Sequence, residues 1–285
     1  MTRIAGIIGH PVAHSLSPVF QGAAFRASGL DVSYELWDTL PQVLPGRVVS
    51  LRDPKYLGAN VTIPHKEAVI PLLDELGGQS ARVGAVNTIV NRAGRLFGFN
   101  TDGPGFVAAL RNEAGWDPAG KSLLLLGAGG AARGIAFALA ETRPNLIGIW
   151  NRTPERAARL VMDLAATGAR VAAAPAADPS GYDAIVNCTS VGMHGGGADA
   201  STPCDLGQAR PDALVVDVVY APERTPFLAE AEGRGLKTLG GLPMLVYQGA
   251  LAFELWTGVS APVEVMFDAA RDELRRRESQ RGGSA

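Results

Sequence analysis

Cysteine is nearly absent: Cys188 and Cys204 are the only two in 285 residues. That is too few for a disulfide framework, so a reducing cytoplasm is the expected setting. No run approaches the roughly 18 continuous apolar residues of a membrane-spanning helix. The opening, MTRIAGIIGHPVAHSLSP, meets His10 and Pro11 too early for the core of a signal peptide. No charge of one sign dominates either, and a net charge of −2 gives no argument for nucleic acid or an acidic membrane as partner. Lysine is scarce: of 26 basic residues only Lys55, Lys66, Lys121 and Lys237 are lysines. No internal repeat is visible. What remains is a globular composition, 47% hydrophobic and 19% charged, long enough for one large domain or two of ordinary size.

Short β-like runs alternate with helical ones over the first hundred residues. RIAGIIG reads as a strand, and SPVFQGAAFRASG as a helix with Ser17 as N-cap, Pro18 at its first position and Gly29 as its stop. VSYELW and YLGANVTI are further strands. AVNTIVN and RLFGFN, separated by Arg92, Ala93 and Gly94, form a β-hairpin pattern. Near Asp102 the alternation restarts with a glycine-bounded helix, GPGFVAALRNEAG. The strand SLLLL follows, apolar on both faces as a buried parallel strand should be. LIGIWN, DAIVNCT and ALVVDVVY continue the buried strands. LVYQGALAFELWTG is an apolar helix, and an amphipathic one follows with Val263, Met266, Phe267, Ala270 and Leu274 on one stripe. The charged, then Gly/Ser-rich end is expected to fray over about its last ten residues. The whole pattern is α/β, with two domains, the second inserted so that the last helices return to the first.

Two segments carry chemistry. GANVTIPHKEAVIPLLDEL, residues 58–76, reads as a strand and then a helix, with Lys66 in or near that helix's first turn. An ammonium is disfavoured there by the helix dipole, and local rules tend to fail at working sites. A solvated surface lysine is the plain alternative. The second segment is Gly127-Ala128-Gly129-Gly130-Ala131-Ala132, a G-x-G-x-x-A string directly after SLLLL and directly before a helix. The first glycine permits the tight turn, the second lets a pyrophosphate approach the backbone, and the small third residue allows close helix packing. About twenty residues on, an NAD site usually places an acid for the ribose 2′-hydroxyl. This chain has Asn151, Arg152, Thr153 and Arg156 there, which suit the 2′-phosphate of NADP. Glu155 follows a proline turn and is expected to point away.

In order along the chain, GHPVAHSLSP, GANVTIPHK, GAVNT, FNTDGPG, GAGGAAR, NRTPER, NCTSVGM, DVVYAPERTP and GGLPMLVYQGALAFELW resemble the motifs of the shikimate dehydrogenase family. The resemblance implies reversible, NADPH-dependent reduction of 3-dehydroshikimate to shikimate, in aromatic amino-acid biosynthesis. It implies a mixed α/β substrate domain, residues 1–102 plus 241–285, an inserted Rossmann-like NADP domain, 103–240, and an active-site cleft between them. Lys66 and Asp102 match the catalytic dyad, and Ser15 and Ser17 the hydroxyls that hold the substrate carboxylate. Asn60, Thr62, Asn87 and Gln248 match positions that bind ring hydroxyls, and Tyr220 a tyrosine lining the site. Thr189, Met193, Val218 and Gly241 complete the cofactor set begun by Gly127–Ala131 and by Asn151, Arg152, Thr153 and Arg156. The implied partners are small molecules, with no nucleic acid or membrane, and the chain acts as a monomer or homodimer.

Each assignment has a plainer rival. Asp102 in NTDGPG suits an Asx turn before a helix, and Ser17 is a good N-cap in any case. Ser15 has no evident capping role, which favours function. Gln248, within an apolar helix, needs buried partners that either substrate or backbone could supply. Cys188 reads as a buried strand-end residue. His14, His65 and His194 lack ligand spacing, so no metal is expected. One departure stands out: where the family often continues S-P-x-x-H-N, this chain has Ser17-Pro18-Val19-Phe20-Gln21-Gly22. Glutamine there also occurs in quinate-accepting relatives, so a broader quinate/shikimate dehydrogenase is the alternative, and a non-catalytic ligand sensor on the same scaffold a lesser one.

Overall fold

The computed structural model describes residues 2–193 and 201–282, in two units: Met1–Thr101 with Val246–Ala285, and Asp102–Leu245. The first unit runs β1 (Arg3–Gly9), α1 (Ser17–Ala27), β2 (Val32–Asp38), α2 (Leu44–Ser50), β3 (Tyr56–Val61), β4 (Glu75–Leu76), α3 (Ser80–Val83), β5 (Thr88–Arg92) and β6 (Arg95–Phe99). Its sheet is mixed, in the order β2-β1-β3-β5-β6-β4. β1 lies parallel to β2 and β3, whereas β3–β5 and β5–β6 are antiparallel. One face carries the apolar core of Ile8, Trp37, Val48, Ala59, Val61 and Ile89. By strand alternation the opposite face carries Ala5, Tyr34, Gly58 and Asn60.

The β5–β6 hairpin turns through Ala93 and Gly94, both at positive φ (52° and 84°), the geometry that matches the strands' natural twist. Asn91 secures it from within. Its amide N–H groups are shared among the carbonyls of Leu51, Asp53 and Tyr56 at 2.7–3.1 Å, and its oxygen accepts from Gly94 N–H at 2.8 Å. Gly58 is forced to be glycine: its φ is +151°, and an added Cβ would lie 2.7 Å from Trp256 Nε1. That indole N–H reaches past Gly58 to the Ile89 carbonyl at 2.8 Å.

Three local expectations are corrected. Residues 67–76 form no α-helix: after one turn closed by Val69 N–H on the His65 carbonyl, the backbone tightens into a 3₁₀ turn at Ile70–Leu72. Pro71 explains this, because it lacks an N–H and crowds the preceding turn. Asp74 then leaves for Arg52 (2.6 Å) and the Leu96 N–H (2.7 Å), and Glu75–Leu76 pair alongside β6. Lys66 therefore sits in a turn rather than at a helix start, and the dipole argument for it lapses. Ser17 is the first residue of α1, not its N-cap; Leu16 holds that position without a side-chain bond. Ser15, for which no capping role was expected, accepts the Ser17 N–H on its hydroxyl at 3.2 Å.

The second unit runs α4 (Asp102–Asn112), β7 (Ser122–Leu126), α5 (Gly130–Glu141), β8 (Leu146–Trp150), α6 (Pro154–Leu164), β9 (Val171–Ala173), β10 (Ala184–Asn187), β11 (Leu214–Asp217), α7 (Pro226–Gly233) and β12 (Lys237–Leu239). Its sheet, β12-β11-β10-β7-β8-β9, is parallel throughout. The chain winds outward from β7 in both directions, so the strand order switches between β7 and β10, where open α/β sheets bind their ligands. Edge strands β9 and β12 went unread because three residues carry too little pattern. α8 (Leu242–Thr257) and α9 (Val263–Gly282) close the chain. Of the expected stripe on α9, Met266, Phe267, Ala270 and Leu274 are buried, and the helix packs against α1. The expected fraying is corrected too. α9 continues to Gly282, with Glu273 bonded to Arg276 and Arg277, and Arg277 donating to the His14 carbonyl at 2.6 Å.

Asp217, at the end of β11, is fully buried. It accepts from Asn187 Nδ2 (2.9 Å), the Val219 N–H (3.0 Å) and the Thr225 hydroxyl (2.7 Å). Thr225 in turn caps α7 by accepting the Leu228 N–H. Burial outweighs these bonds and pushes the Asp217 carboxyl up to about 6.

Two predictions follow from these braces. Asn91→Ala leaves three carbonyls and one N–H without their partner and should cost about 2–3 kcal/mol; a thermal midpoint equal to the wild type's would contradict the bracing role. For Asp217 the folded carboxyl titrates above its ordinary value, so the folded protein bears the cost of a buried charge once pH rises through about 6 and none below about 4. Asp217→Asn keeps the shape and removes the charge. Its midpoint should gain on the wild type's as pH rises from 4 to 7, whereas a pH-independent difference would refute the buried-charge account.

Candidate active site

On the α8 side of the first sheet lies a group of buried polar side chains: Ser15, Ser17, Asn60, Asn87, Thr88 and Thr101 are each less than a tenth exposed. Polar groups survive such burial only when paired. Asn60, on β3, donates to the Asn87 carbonyl (3.3 Å) and the Thr88 hydroxyl (3.2 Å), and its oxygen accepts from the Tyr34 phenol at 2.7 Å. Asn87 donates to Thr101 Oγ1 (2.9 Å) and Gln248 Oε1 (3.2 Å), and its oxygen accepts from the Thr101 N–H (2.8 Å) and the Thr88 hydroxyl (3.1 Å). An amide has two N–H donors and two lone pairs, and Asn87 uses both kinds to tie neighbouring stretches together. The network binds β3, the entry to β5, the exit from β6 and α8 into one piece.

The lysine turn is held against that piece. Thr62 N–H bonds the Ile8 carbonyl (2.8 Å), and the Lys66 carbonyl accepts the Val86 N–H (2.7 Å), one residue before Asn87. His65 is buried, and its Nε2 donates to the Thr39 carbonyl at 2.6 Å. Lys66 itself is half-buried. Of the other histidines, His14 is exposed and His194 lies outside the described residues; no cluster able to hold a metal occurs among the described residues.

In the second unit Gly127 takes φ +118°, and an added Cβ would lie 3.1 Å from Thr189 Cγ2 across the switch point. Gly129 caps α5 without any side-chain bond, and Ala132 is buried. The helix thus presents its first N–H groups at the glycine loop, Gly127–Ala131, which is a ready anion site. Asn151 braces the glycine loop from the end of β8. Its oxygen accepts the Ala128 N–H (3.1 Å) and its amide donates to the Thr153 carbonyl (2.9 Å), so it shapes the loop. Arg152, Thr153 and Arg156 are exposed beyond β8, and neither arginine enters an ion pair among the described residues. A glycine cradle, an uncapped helix start and two available guanidiniums fit a phosphorylated dinucleotide. Asn187 fixes the neighbouring loop: its oxygen takes the Thr189 N–H and hydroxyl, and its amide the Val191 carbonyl. Met193 follows the loop and is half-buried. Val218 N–H bonds the Asn187 carbonyl, and Gly241 N–H the Val219 carbonyl. Half-buried Tyr220 follows β11, and Asp102, 5% exposed, opens α4.

Tyr34, Thr88, Thr101, Asn187 and Asp217 were missed. Each acts on a side chain distant in sequence, and only strand register, which no single segment displays, brings the partners together.

Residues 7–89 match the family model for the shikimate dehydrogenase substrate binding domain, and residues 241–271 that for the shikimate 5′-dehydrogenase C-terminal domain. Shikimate dehydrogenase (NADP(+)) of Moorella thermoacetica is 46% identical over 280 residues, covering 96% of this chain and 94% of its own. The crystal structure of shikimate 5-dehydrogenase from Thermus thermophilus, in complex with NADP(H) and shikimate, superposes with a TM-score of 0.86 at 43% identity, covering 95% of this chain and 99% of that one. Quinate dehydrogenase from Corynebacterium glutamicum, in complex with NAD, gives 0.85 at 31% identity, covering 94% and 98%. With the buried amide network on one unit and the switch-point glycine loop on the other, likeness over nearly its whole length places this chain in the shikimate dehydrogenase family.

Proposed function

We propose that the chain is an NADP-dependent shikimate dehydrogenase, reducing 3-dehydroshikimate to shikimate and running in reverse when the supply of substrates favours it. Membership of the family over 96% of the chain carries this reading. When bound, NADPH supplies the hydride that reaches the ring carbonyl carbon. The protein must provide a proton for the alkoxide that develops there. In this reading Lys66 stabilises that charge and donates the proton, and in reverse takes it back. Asp102 orients the ammonium and shares a hydrogen bond with a ring hydroxyl. Ser15 and Ser17 hold the substrate carboxylate; Asn60, Thr62, Asn87 and Gln248 meet ring hydroxyls; Tyr220 lines the site. Asn87 also holds Gln248 and Thr101 in place.

For the cofactor, Gly127–Ala131 cradle the pyrophosphate at the start of α5. Arg152, Thr153 and Arg156 meet the 2′-phosphate, and Asn151 contributes by fixing the loop. Thr189, Met193, Val218 and Gly241 border the nicotinamide end. Met1–Thr101 with Val246–Ala285 is the substrate unit in this reading, and Asp102–Leu245 the NADP unit. No step calls on a second copy, so a monomer or a homodimer serves equally. The two free, buried cysteines suit a reducing cytoplasm. A broader quinate/shikimate activity is the second reading, and Gln21 favours it: buried one helical turn beyond Ser17, it donates to the Gly249 carbonyl at 2.8 Å.

The test is turnover at 340 nm with shikimate or quinate, each with NADP or NAD. The account expects turnover of shikimate with NADP to dominate; none with shikimate refutes it, and equal rates on quinate establish the second reading. Lys66→Ala should lower kcat by about 10²–10⁴-fold with little change in the KM for NADP; a near-normal kcat removes Lys66 from the chemistry. Removing both Arg152 and Arg156 by alanine should raise the KM for NADP by about tenfold or more while sparing the residual NAD reaction. Equal losses with both cofactors would show that the arginines do not read the 2′-phosphate.

A further inference from the structure

The last helix carries an arginine that the mechanism above does not use. On α9 the buried residues Phe267, Ala270 and Leu274 recur at helical spacing, and the helix packs against α1. Arg277 continues the same stripe at its far end, where it meets the loop between β1 and α1, residues 10–16. Its Nη1 donates to the His14 carbonyl at 2.6 Å, and its Nη2 to the Ser15 carbonyl at 3.4 Å. The guanidinium thus holds the backbone of a serine assigned above to the substrate carboxylate.

That guanidinium is itself held. Glu273, one turn back, accepts from Arg277 Nε at 2.6 Å and from Arg276 Nε and Nη2 at 2.8 and 2.7 Å. The Glu273 side chain is 11% exposed. Arg276 first and Arg277 second hold its carboxyl down to about 2, so it stays ionised at every working pH. With Nε fixed on a carboxylate, the planar fork has little freedom left, and both outer nitrogens face the loop. The loop has use for such an anchor. Val12 and Leu16 are buried and pin its two sides, but Ala13 and His14 between them are exposed. The bonds from Ser15 N–H to the Val12 carbonyl and from Ser17 N–H to Ser15 Oγ are local. They shape the turn without tying it to another element. A carboxylate is repelled by carbonyl oxygens and attracted by N–H and O–H groups, so the way these peptides face decides whether the loop can receive one. Arg277 keeps two successive carbonyls turned toward α9.

We propose that Arg277 is a positioning residue for the carboxylate end of the substrate: from α9 it fixes the His14 and Ser15 peptides, so that the Ser15 and Ser17 hydroxyls are presented together. The inference rests on the carboxylate role proposed for those serines. Arg277 acts through the loop and touches no substrate atom in this account. Arg276 shares Glu273 but turns its fork onto both carboxylate oxygens, and serves the helix alone. The two neighbouring arginines therefore separate loop positioning from helix stability.

Arg277→Met tests this, because it keeps the aliphatic stem and removes the donors. In the whole protein, the KM for shikimate should rise about 5–20-fold, with kcat within about threefold and the KM for NADP within about twofold. Arg277→Lys keeps the charge and one donor, and its KM should fall between those of Arg277→Met and the wild type. Arg276→Met should leave both KM values within about twofold. An unchanged KM in Arg277→Met, an equal rise in Arg276→Met, or no recovery by Arg277→Lys would each overturn the inference. So would a parallel loss of kcat, both KM values and thermal midpoint in Arg277→Met. Calorimetric binding of shikimate by Ser15→Ala and Arg277→Met separates the two levels. Wild-type binding by Ser15→Ala removes the carboxylate reading and the inference with it. Weak binding by Ser15→Ala beside wild-type binding by Arg277→Met removes the role of Arg277 alone.

Discussion

Burying a carboxamide obliges the protein to satisfy four hydrogen-bonding positions in fixed directions, and the first unit depends on meeting that demand at Asn87. Its partners come from the Thr88 side chain, both the backbone and side chain of Thr101, and Gln248 on α8. Because each partner lies on a different stretch of chain, the amide fixes where those stretches meet. Strand pairing sets the sheet; Asn87 sets which polar atoms face outward from it. Asn60, Thr88 and Tyr34 extend the same constraint across three strands. An unmade bond in this cluster would cost more than a made one contributes, so the arrangement is strongly selected over its neighbours.

Side-chain amides recur as braces wherever the backbone leaves regular structure. Asn91 closes the β5–β6 hairpin, Asn151 holds the glycine loop through Ala128, and Asn187 pins the loop after β10 while answering Asp217. A carboxamide presents a donor and an acceptor at once, so a single residue can close two turns or tie a turn to a strand. The two units use the same device for different ends. In the first it fixes side chains proposed to meet a ring substrate, and in the second the glycine loop proposed to hold a dinucleotide.

Much of this was legible in the residues. Continuous apolar runs marked β1, β7, β8, β10 and β11, and the Gly127–Ala132 string marked the turn between β7 and α5. What stayed hidden has physical causes. Periodicity suggested a helix over 67–76, but Pro71 removes a donor the helix would need, so the segment folds as turns and a short strand. Ser17 looked like a cap and proved the first helical residue, with Ser15 supplying the bond. The charged C-terminus offered no sign that Arg277 would reach the His14 carbonyl. Tyr34 read as an ordinary strand residue, since its partner is chosen by register with β1 and β3. Local sequence reports local preference; it does not report which distant polar atoms meet.

The central claim is that the side chains proposed to meet the substrate are set before any ligand arrives, because the network behind them is already formed. Preset groups lose little freedom on binding, which favours both affinity and rate. Crystal structures of the protein alone and with shikimate would test this most directly. The account expects Asn87 to keep Thr101, Thr88 and Gln248 as partners in both, with Asn60 displaced by less than about 0.5 Å. An Asn87 amide that turns away from Thr101 to meet the ligand would contradict it, and would show that the site is built by the substrate and not in advance of it.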